Sequence, residues 1–560
     1  MKIAEIAKIK HPAEVTVNVP GSKSYTLRAL FLAALCDSPP KLTGLLESMD
    51  TEAMRNCLEA ITNGQEEIFA GESGITARFI TALACITPGR QKITGKPGLL
   101  KRPIGDLVDA LRQLGANIEY IGKDGFLPIS VSSENLSESK VSLSGQTSSQ
   151  YLSALLLISP KLENGLEINI KDKQISKPYI DITVDIMKSF GVEVANDDYQ
   201  KYIVKPQKYQ ANEYAVEGDY SSAAYFYAIN ALAGSNIKVR NLNLDSKQGD
   251  KKFVDMIKNK PAPKEINAED FPDQAMTLAV LAAFAEGKTV ISGVKSLRVK
   301  ETERVKAAEN ELAKMDIKTE STEDRLTIYG GKPQATKVET YGDHRIAMSF
   351  AVASAKLDGM TIFNPEVVDK TFPGFWDELD KLTEVKISEL KPDNILLIGM
   401  RGSGKSTIGK ILAKELGMDF VDMDTLIELK QGLKVRDIVE KNGWAYFREL
   451  ESKICAELAQ LKNTVMASGG GVVINDKNMS GFDKNTLKIL FVAEPSLLSK
   501  RIKGDSNRHG LTSQPTLLGE LDEVWENRKE KYFKNTDFIF DTSKEAPELV
   551  VKNIIGKLES

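Results

Sequence analysis

Residues 399–406 read Gly-Met-Arg-Gly-Ser-Gly-Lys-Ser, the spacing G-x-x-x-x-G-K-S of a loop that wraps phosphate. Ile395 to Ile398 ahead of it read as a short buried parallel strand, and Thr407 to Leu416 behind it as an amphipathic helix stopped by Gly417. In that setting the glycines let backbone N–H groups close on anionic oxygens at a helix start. Lys405 is placed to reach the outer phosphates, and the Ser406 hydroxyl to ligate Mg²⁺. The position of the loop constrains the rest. A nucleotide-binding unit of the size that follows it, Lys391 to Ser560, is complete in itself, so the residues before it must build something else.

At 560 residues the chain should hold three or four domains of about 150 residues each. A hydrophobic content of 42% and a charged content of 27% are those of an ordinary soluble globular protein. There is no 18-residue apolar run, and the N-terminal residues Met1-Lys2-Ile3-Ala4-Glu5 do not read as a signal peptide. Cys36, Cys57, Cys85 and Cys455 form no C-x-x-C pair, and His11, His344 and His509 lie far apart, so no zinc set can be written. The expected location is a reducing cytoplasm. A net charge of −4 with mixed signs argues against a nucleic-acid partner. It leaves room for anionic small ligands held by a local cationic cluster.

Two features organise the chain. Thr383 to Asn394, closed by Lys391-Pro392-Asp393-Asn394, is the clearest linker, and its shortness predicts that the two halves lie close together. Within the first half a helix–turn–strand joint recurs. Leu107 to Leu114, Gly115 and Ala116 to Tyr120 form one copy. Ile182 to Phe190, Gly191 and Val192 to Val194 form a second. Val305 to Met315, Asp316 and Ile317 to Thr319 form a third. Such recurrence suits copies of one βα unit.

Six segments of the first half concentrate cations at loop–helix junctions, with hydroxyls and amides beside them. They are Pro20 to Arg28, Gly71 to Arg78, Lys101 to Gly105, Ser148 to Gln150 with Ser176 to Tyr179, Pro272 to Met276 with Arg298 to Arg304, and Gly342 to Arg345 with Lys370 to Pro373. Taken singly, Ser148 and Asp343 also fit helix caps, and His344 fits a structural histidine. Taken together, the set suits a cleft that holds more than one polyanion.

In that order, the six segments resemble the 3-phosphoshikimate 1-carboxyvinyltransferases (EPSP synthases) over residues 1–389. The resemblance implies an inverse α/β barrel fold in two domains, each built of three βαβαββ-type units. Residues 1–20 with 220–389 would form a discontinuous domain, and 21–219 an inserted one. It places Lys23, Ser24, Arg28, Ser148, Ser149, Ser176 and Asp273 on shikimate 3-phosphate, and Lys23, Arg102, Gln150, Arg304, Arg345 and Lys370 on phosphoenolpyruvate. Lys300 joins the substrate-binding residues, and Arg78 supports a loop. Asp273 is the candidate for the reacting hydroxyl and Glu301 for the methylene carbon, with Lys23 and His344 assisting. No cofactor is implied for this step. One departure is visible: where many members read Asn-Ala-Gly-Thr, this chain has Glu72-Ser73-Gly74-Ile75. The sister family acting on UDP-N-acetylglucosamine carries a cysteine before the third segment, and Gly89 to Lys101 has none.

In the last third, Phe420 to Asp424 read as a strand ending in paired acids, Phe447-Arg448-Glu449 as a helix opening, and Ser468 to Val472 as a glycine loop after a strand. Asp422 and Asp424 also fit helix caps, and Arg448 fits an i,i+4 partner on a solvated face. With the phosphate loop, these segments resemble the shikimate kinases over 392–560, which are P-loop proteins with a parallel sheet. The resemblance puts Asp424, Arg448, Gly470, Gly471 and Arg528 around shikimate, with Asp424 as base. Gly402, Ser403, Gly404, Lys405, Ser406 and Thr407 would hold ATP, with Arg501 against adenine. Ser406 and Asp422 would serve Mg²⁺, and Lys405 and Arg508 would neutralise the moving phosphoryl group. Asn507 to Gln514 would form a lid, in which Arg508 is followed by His509-Gly510 where the family usually has proline.

The two resemblances predict consecutive reactions: ATP-dependent phosphorylation of shikimate, then enolpyruvyl transfer to the product. The other readings are a non-catalytic half that only binds ligand, UDP-sugar enolpyruvyl transfer, or a kinase for another small molecule. No membrane partner is expected, and oligomeric state is left open.

Overall fold

The computed structural model describes residues 1–9, 14–133, 136–258, 263–482, 485–503, 511–512, 514 and 516–559. One strand order recurs in the first half. Strands Glu67–Phe69, Gly89–Thr94, Ile129–Ser133 and Asn117–Tyr120 lie side by side, the first two parallel and the rest antiparallel. The same pattern is built from Lys140–Leu143, Leu166–Ile170, Lys201–Val204 and Ala195–Asp197. It is built again from Glu265–Asn267, Gly287–Ser292, Arg325–Gly330 and Lys318–Thr322. A fourth copy closes on the chain start: Lys337–Val338, Met360–Phe363, Lys2–Ile6 and Val385–Glu389. Two short parallel pairs, Lys41–Thr43 with Glu213–Ala215 and Thr16–Asn18 with Lys238–Arg240, complete the set.

The helix–strand joints read from the sequence share one geometry. The amides of Ala116, Val192 and Ile317 donate to the carbonyls of Leu111, Met187 and Leu312 at 2.9–3.0 Å. The residue before each is left-handed, with φ of +100° at Gly115, +79° at Gly191 and +66° at Asp316. This is the hydrogen-bonded helix end that glycine favours, because it lacks a Cβ to clash there. Two expectations need correcting. Val192 to Val194 are not a strand; the strand begins at Ala195. Thr383 to Asn394 are not mainly a linker either. Val385–Glu389 pairs antiparallel with Lys2–Ile6, because that strand otherwise leaves an unpaired edge of N–H and C=O groups.

The buried apolar residues fall into separate cores. One is drawn from Tyr25 to Val216. Another takes Ala4 to Val19 together with Tyr220 to Leu379. In the last third, five parallel strands run in the order Asp419–Asp422, Thr464–Ala467, Asn394–Gly399, Thr486–Val492 and Phe538–Asp541. All six residues of the central Asn394–Gly399 strand are buried, as expected for a parallel strand covered on both faces. On one face the packing reaches out of this unit: Ile3 and Phe363 of the first half join Leu397, Phe538, Val550 and Ile554 in a single cluster. The rings of Phe363 and Phe538 sit 4.7 Å apart. Among the described residues no helix is long and apolar enough to cross a membrane.

The Phe363–Phe538 contact carries a prediction. Phe538→Ala should remove about 3–5 kcal/mol of stability, because both rings are buried and the lost volume cannot be refilled by water. Urea unfolding followed by circular dichroism measures this, and a loss below about 1 kcal/mol would rule out a shared core.

Candidate functional sites

In the first half the charged segments converge on one cleft lined from both cores. Arg304 is its centre. The residue begins helix Arg304–Lys314 and is 2% exposed. Its guanidinium donates to Asp343 Oδ2 at 2.7 Å, Asp273 Oδ1 at 2.8 Å and Glu301 Oε2 at 2.9 Å. Arg345 adds Nη2 to Asp273 Oδ2 at 3.3 Å and Nη1 to the Tyr225 hydroxyl at 3.0 Å. Arg102 and Lys370 approach Glu301 Oε1 at 3.7 and 3.5 Å. Arg102 and Tyr179 come from the Tyr25–Val216 side. Their contacts, to Glu301 and to Asp273 (3.2 Å), bridge the two cores.

The electrostatics follow from this crowding. Burial alone would raise the Glu301 carboxyl, but Arg304, Arg102 and Lys370 hold it well below the usual range. Burial would likewise raise Asp273, and Arg345, Lys300, Arg304 and Lys23 hold it well below. Burial lowers His344 far below its ordinary value, and the cations Lys23 and Arg345 lower it further. His344 is therefore neutral near pH 7, and its Nδ1 finds no hydrogen-bond partner among the described residues. Burial lowers Lys300 too.

The remaining front-site residues divide by task. Lys23 opens helix Lys23–Leu35, with its ammonium 3.4 Å from Asp50. Ser24 gives its carbonyl to Arg28 Nη1. Arg28 is buried, and it also donates to Thr183, Ser153 and the Tyr179 carbonyl, which locks three helices together. Ser148 caps helix Ser149–Ile158. Arg78 donates to Gln150 and to the Pro103 carbonyl, both at 2.8 Å, and so braces the loop that carries Arg102. A Cβ on Gly74 would lie 2.5 Å from Arg78 Nη1 and 2.7 Å from the Arg102 guanidinium, so any larger residue would have to push one of these guanidiniums aside. Ser176, in the cleft wall, is left-handed at φ +53°. Asp343 caps helix His344–Ala351 through the Arg345 amide and also pairs with Arg304, so its capping and charge roles coincide. Asp50, Asp219 and Tyr225 were not singled out from sequence, and Tyr179 was named there only as the end of the Ser176 segment. Tyr225 sits in the buried first half of its helix, among apolar neighbours, and carries no local signal.

In the last third Gly404 caps helix Lys405–Leu416 with φ +96°. Lys405 Nζ folds over the loop onto the Gly399 and Met400 carbonyls, at 2.9 Å each. Ser406 Oγ donates to Asp422 Oδ2 at 2.5 Å, and Asp422 caps helix Met423–Gln431. The strand thus ends at Asp422, and Asp424 lies on the helix rather than on the strand. Arg501 donates to the Gly402 carbonyl and to Thr542, whose hydroxyl donates to the Ser403 carbonyl. Thr407 follows Ser406 on the helix.

Across from this loop, Arg448, Glu451, Asp424, Gly469 to Gly471 and Arg528 converge. Phe447 to Glu449 do not open their helix. They follow a break at Gly443 inside Val435–Leu458. Arg448 does not lie on a solvated face: it pairs with the buried Glu451 at 2.5 Å and stacks near Trp444 and Phe447. Glu451 was missed in the sequence, where it looks like any helical acid. Burial raises its carboxyl above the usual range even with Arg448 beside it. Arg528 Nη1 donates to the Gly470 carbonyl at 2.8 Å, and the Tyr532 hydroxyl shares that acceptor. A Cβ on Gly471 would lie 2.0 Å from Arg448 Nη1, and one on Gly469 2.9 Å from both Asp424 Oδ1 and Glu451 Oε1. Arg508, His509 and Gly510 lie outside the described residues, and of 507–514 only 511, 512 and 514 are described.

Comparison with known proteins agrees with this division. The family model for EPSP synthase (3-phosphoshikimate 1-carboxyvinyltransferase) matches residues 7–379, and that for shikimate kinase matches 401–559. A pentafunctional AROM polypeptide of Lodderomyces elongisporus is 32% identical, covering 95% of this chain and 39% of that protein. The chain thus spans about two fifths of the length of such relatives. A 3-phosphoshikimate 1-carboxyvinyltransferase of Sulfurovum is 39% identical, over 66% of this chain and 97% of the relative. The solved structure of EPSP synthase from Acinetobacter baumannii covers 70% of this chain and all of its own, with a TM-score of 0.59 at 23% identity, a likeness of fold. The chain belongs to the EPSP synthase family, whose model spans its first two-thirds, and the shikimate kinase model matches the remainder.

Proposed function

We propose that the chain catalyses two consecutive steps. The last third phosphorylates shikimate with ATP, and the first half transfers the enolpyruvyl group of phosphoenolpyruvate to the resulting shikimate 3-phosphate, releasing phosphate. The observation that carries this reading is a cationic cleft in the first half and, apart from it, a phosphate loop with Arg448 and Arg528 across from it in the last third, each in the family unit expected to use it. We take residues 1–20 with 220–389, 21–219 and 390–560 as the three domains.

In the front cleft two multiply charged anions must meet, and fixed cations offset their repulsion without reorganising. Asp273, kept ionised, accepts the proton of the attacking hydroxyl as that oxygen bonds to C2 of phosphoenolpyruvate. Glu301 handles the proton at C3. Its carboxyl is held low by Arg304, Arg102 and Lys370, the same cations that would bind the incoming carboxylate and phosphate. Those anions offset the cations' field and so raise Glu301 toward a value at which it carries a proton. Loss of phosphate from the tetrahedral adduct, with a C3 proton returning to Glu301, restores the double bond. Lys23, Lys300, Arg345 and neutral His344 complete the surround.

In the kinase, Lys405, the loop amides and Arg508 take the phosphates, and Arg501 lies against adenine. Mg²⁺ prefers oxygen ligands and keeps several of its waters. The hydrogen-bonded Ser406 hydroxyl and Asp422 carboxylate at the loop fit that demand, directly or through water. Bound there, the ion would offset the charge of the transferring phosphoryl group. Arg448 and Arg528 clamp the shikimate carboxylate, and Asp424 takes the hydroxyl proton. A cytoplasmic setting accords with four cysteines of which none forms a disulfide.

A coupled assay tests both steps. Lys405→Ala should cut ADP formation by about 10²–10³-fold and leave phosphate release from supplied shikimate 3-phosphate intact. Glu301→Ala should cut phosphate release by about 10²–10⁴-fold and leave ADP formation intact. Both activities surviving both substitutions would remove the assignments.

Stability should also depend on pH. His344, Glu301 and Asp273 all have folded-state values below their ordinary 6.5, 4.5 and 3.8. The unfolded chain then binds more protons, so their contribution is full above those values and is lost as pH falls. The His344 share of that loss should start below pH 6.5, with a slope of up to about 1.4 kcal/mol per pH unit, while Glu311 and Asp250, raised by burial to about 7 and about 6, act in the opposite sense over the same window. His344→Gln should abolish that phase in urea unfolding measured from pH 7.5 down to about 5. An unchanged slope would mean that His344 is protonated in the folded protein.

A further inference from the structure

Helix Arg304–Lys314 connects the two sites. Its first residue is the centre of the front cleft. Its last, Lys314, is fully buried beside the fully buried Glu311, at 2.7 Å. Lys314 Nζ donates to the Lys337 carbonyl at 2.8 Å and, across the junction between the halves, to the Asp537 carbonyl at 3.0 Å. The Asp537 side chain accepts from the Lys488 amide of the kinase sheet and lies 3.4 Å from Lys337 Nζ. Asp537 follows helix Leu517–Lys534, which packs along Arg304–Lys314 and carries Arg528 and Tyr532 to the Gly470 carbonyl. In the other direction, Glu311 accepts from the Tyr341 hydroxyl at 2.8 Å and from the Glu339 amide at 3.1 Å. Tyr341 stands left-handed, at φ +54°, two residues before Asp343 of the front cleft. Glu339 also pairs with Lys557 of the last helix. A buried ion pair is a weak source of net stability but a strong constraint on geometry, because either charge left alone is costly.

We propose that Glu311 and Lys314 are positioning residues for both reactions: Lys314 braces the helix that holds Arg528, and Glu311 braces the Tyr341 turn that leads to Asp343 and His344. The first half thus supplies part of the support for the kinase's acceptor-carboxylate site. The inference rests on the two-activity reading above. Neither residue touches substrate, so the effect should appear in affinity for the group being positioned. The nucleotide loop leaves the C-terminal end of strand Asn394–Gly399, and strand Thr486–Val492 lies between that strand and Phe538–Asp541, which follows Asp537.

The test uses the full chain. Lys314→Met combined with Glu311→Gln removes both charges at once and avoids leaving one unpaired. It should raise the kinase KM for shikimate about fivefold or more, with kcat and KM for ATP within about twofold. Tyr341→Phe, which deletes one hydroxyl and keeps the packing, should raise KM for phosphoenolpyruvate about threefold and leave every kinase constant unchanged. If the double variant fails to fold, Tyr341→Phe decides alone. An unmoved KM for shikimate, or kcat and KM for ATP drifting in step with it, overturns the inference, and so does a silent Tyr341→Phe. Wild-type protein lacking one activity would sink the two-activity reading as well, whereas wild-type protein with both activities and unmoved variants sinks only this inference.

Discussion

A guanidinium buried to 2% exposure must find partners, and Arg304 finds three carboxylates on three separate segments. That requirement fixes the front cleft. Asp273 is drawn in on the Pro272–Gln274 turn, Asp343 on a helix cap, and Glu301 one turn before the arginine itself. Once these acids are held, Arg102, Lys370 and Arg345 gather around them, and the excess of positive charge becomes the anion site. The network balances the cations through the acids while leaving them placed to receive substrate.

The kinase site reaches a similar end by other means. Its phosphate cradle is made of backbone N–H groups at a helix start, where left-handed glycines let the chain turn inward. Its acceptor side relies on side chains packed against glycine backbone, with Arg448 filling the space a Cβ on Gly471 would occupy. Where the front cleft needs residues from two cores to close, the kinase pocket lies within one unit.

The junction between the units is itself structural. Strand Val385–Glu389 belongs to the first half's sheet, and the phosphate-loop strand starts five residues later. So short a connection, with Phe363 against Phe538 and Lys314 on Asp537, holds the kinase against the Ala4–Leu379 core. Helix Arg304–Lys314, with Arg304 in the front cleft at one end and Lys314 on Asp537 at the other, then places the two sites on one support.

The sequence alone determined the parts whose chemistry is local. The phosphate loop, its flanking strand and helix, and the recurring helix–turn–strand joints are set by glycine, lysine and apolar spacing within a few residues, where backbone sterics decide the outcome. The ordered cationic segments also marked most of the residues that line the front cleft. Tertiary structure decided what depends on distant pairing. Val385–Glu389 became a strand because Lys2–Ile6, at the other end of the half, offered it an edge. Glu451, Tyr225, Glu311 and Lys314 look like ordinary helical residues until burial removes the water that would otherwise screen them. Burial is a property of the packed whole, and it turns an unremarkable carboxylate or ammonium into one that must be paired.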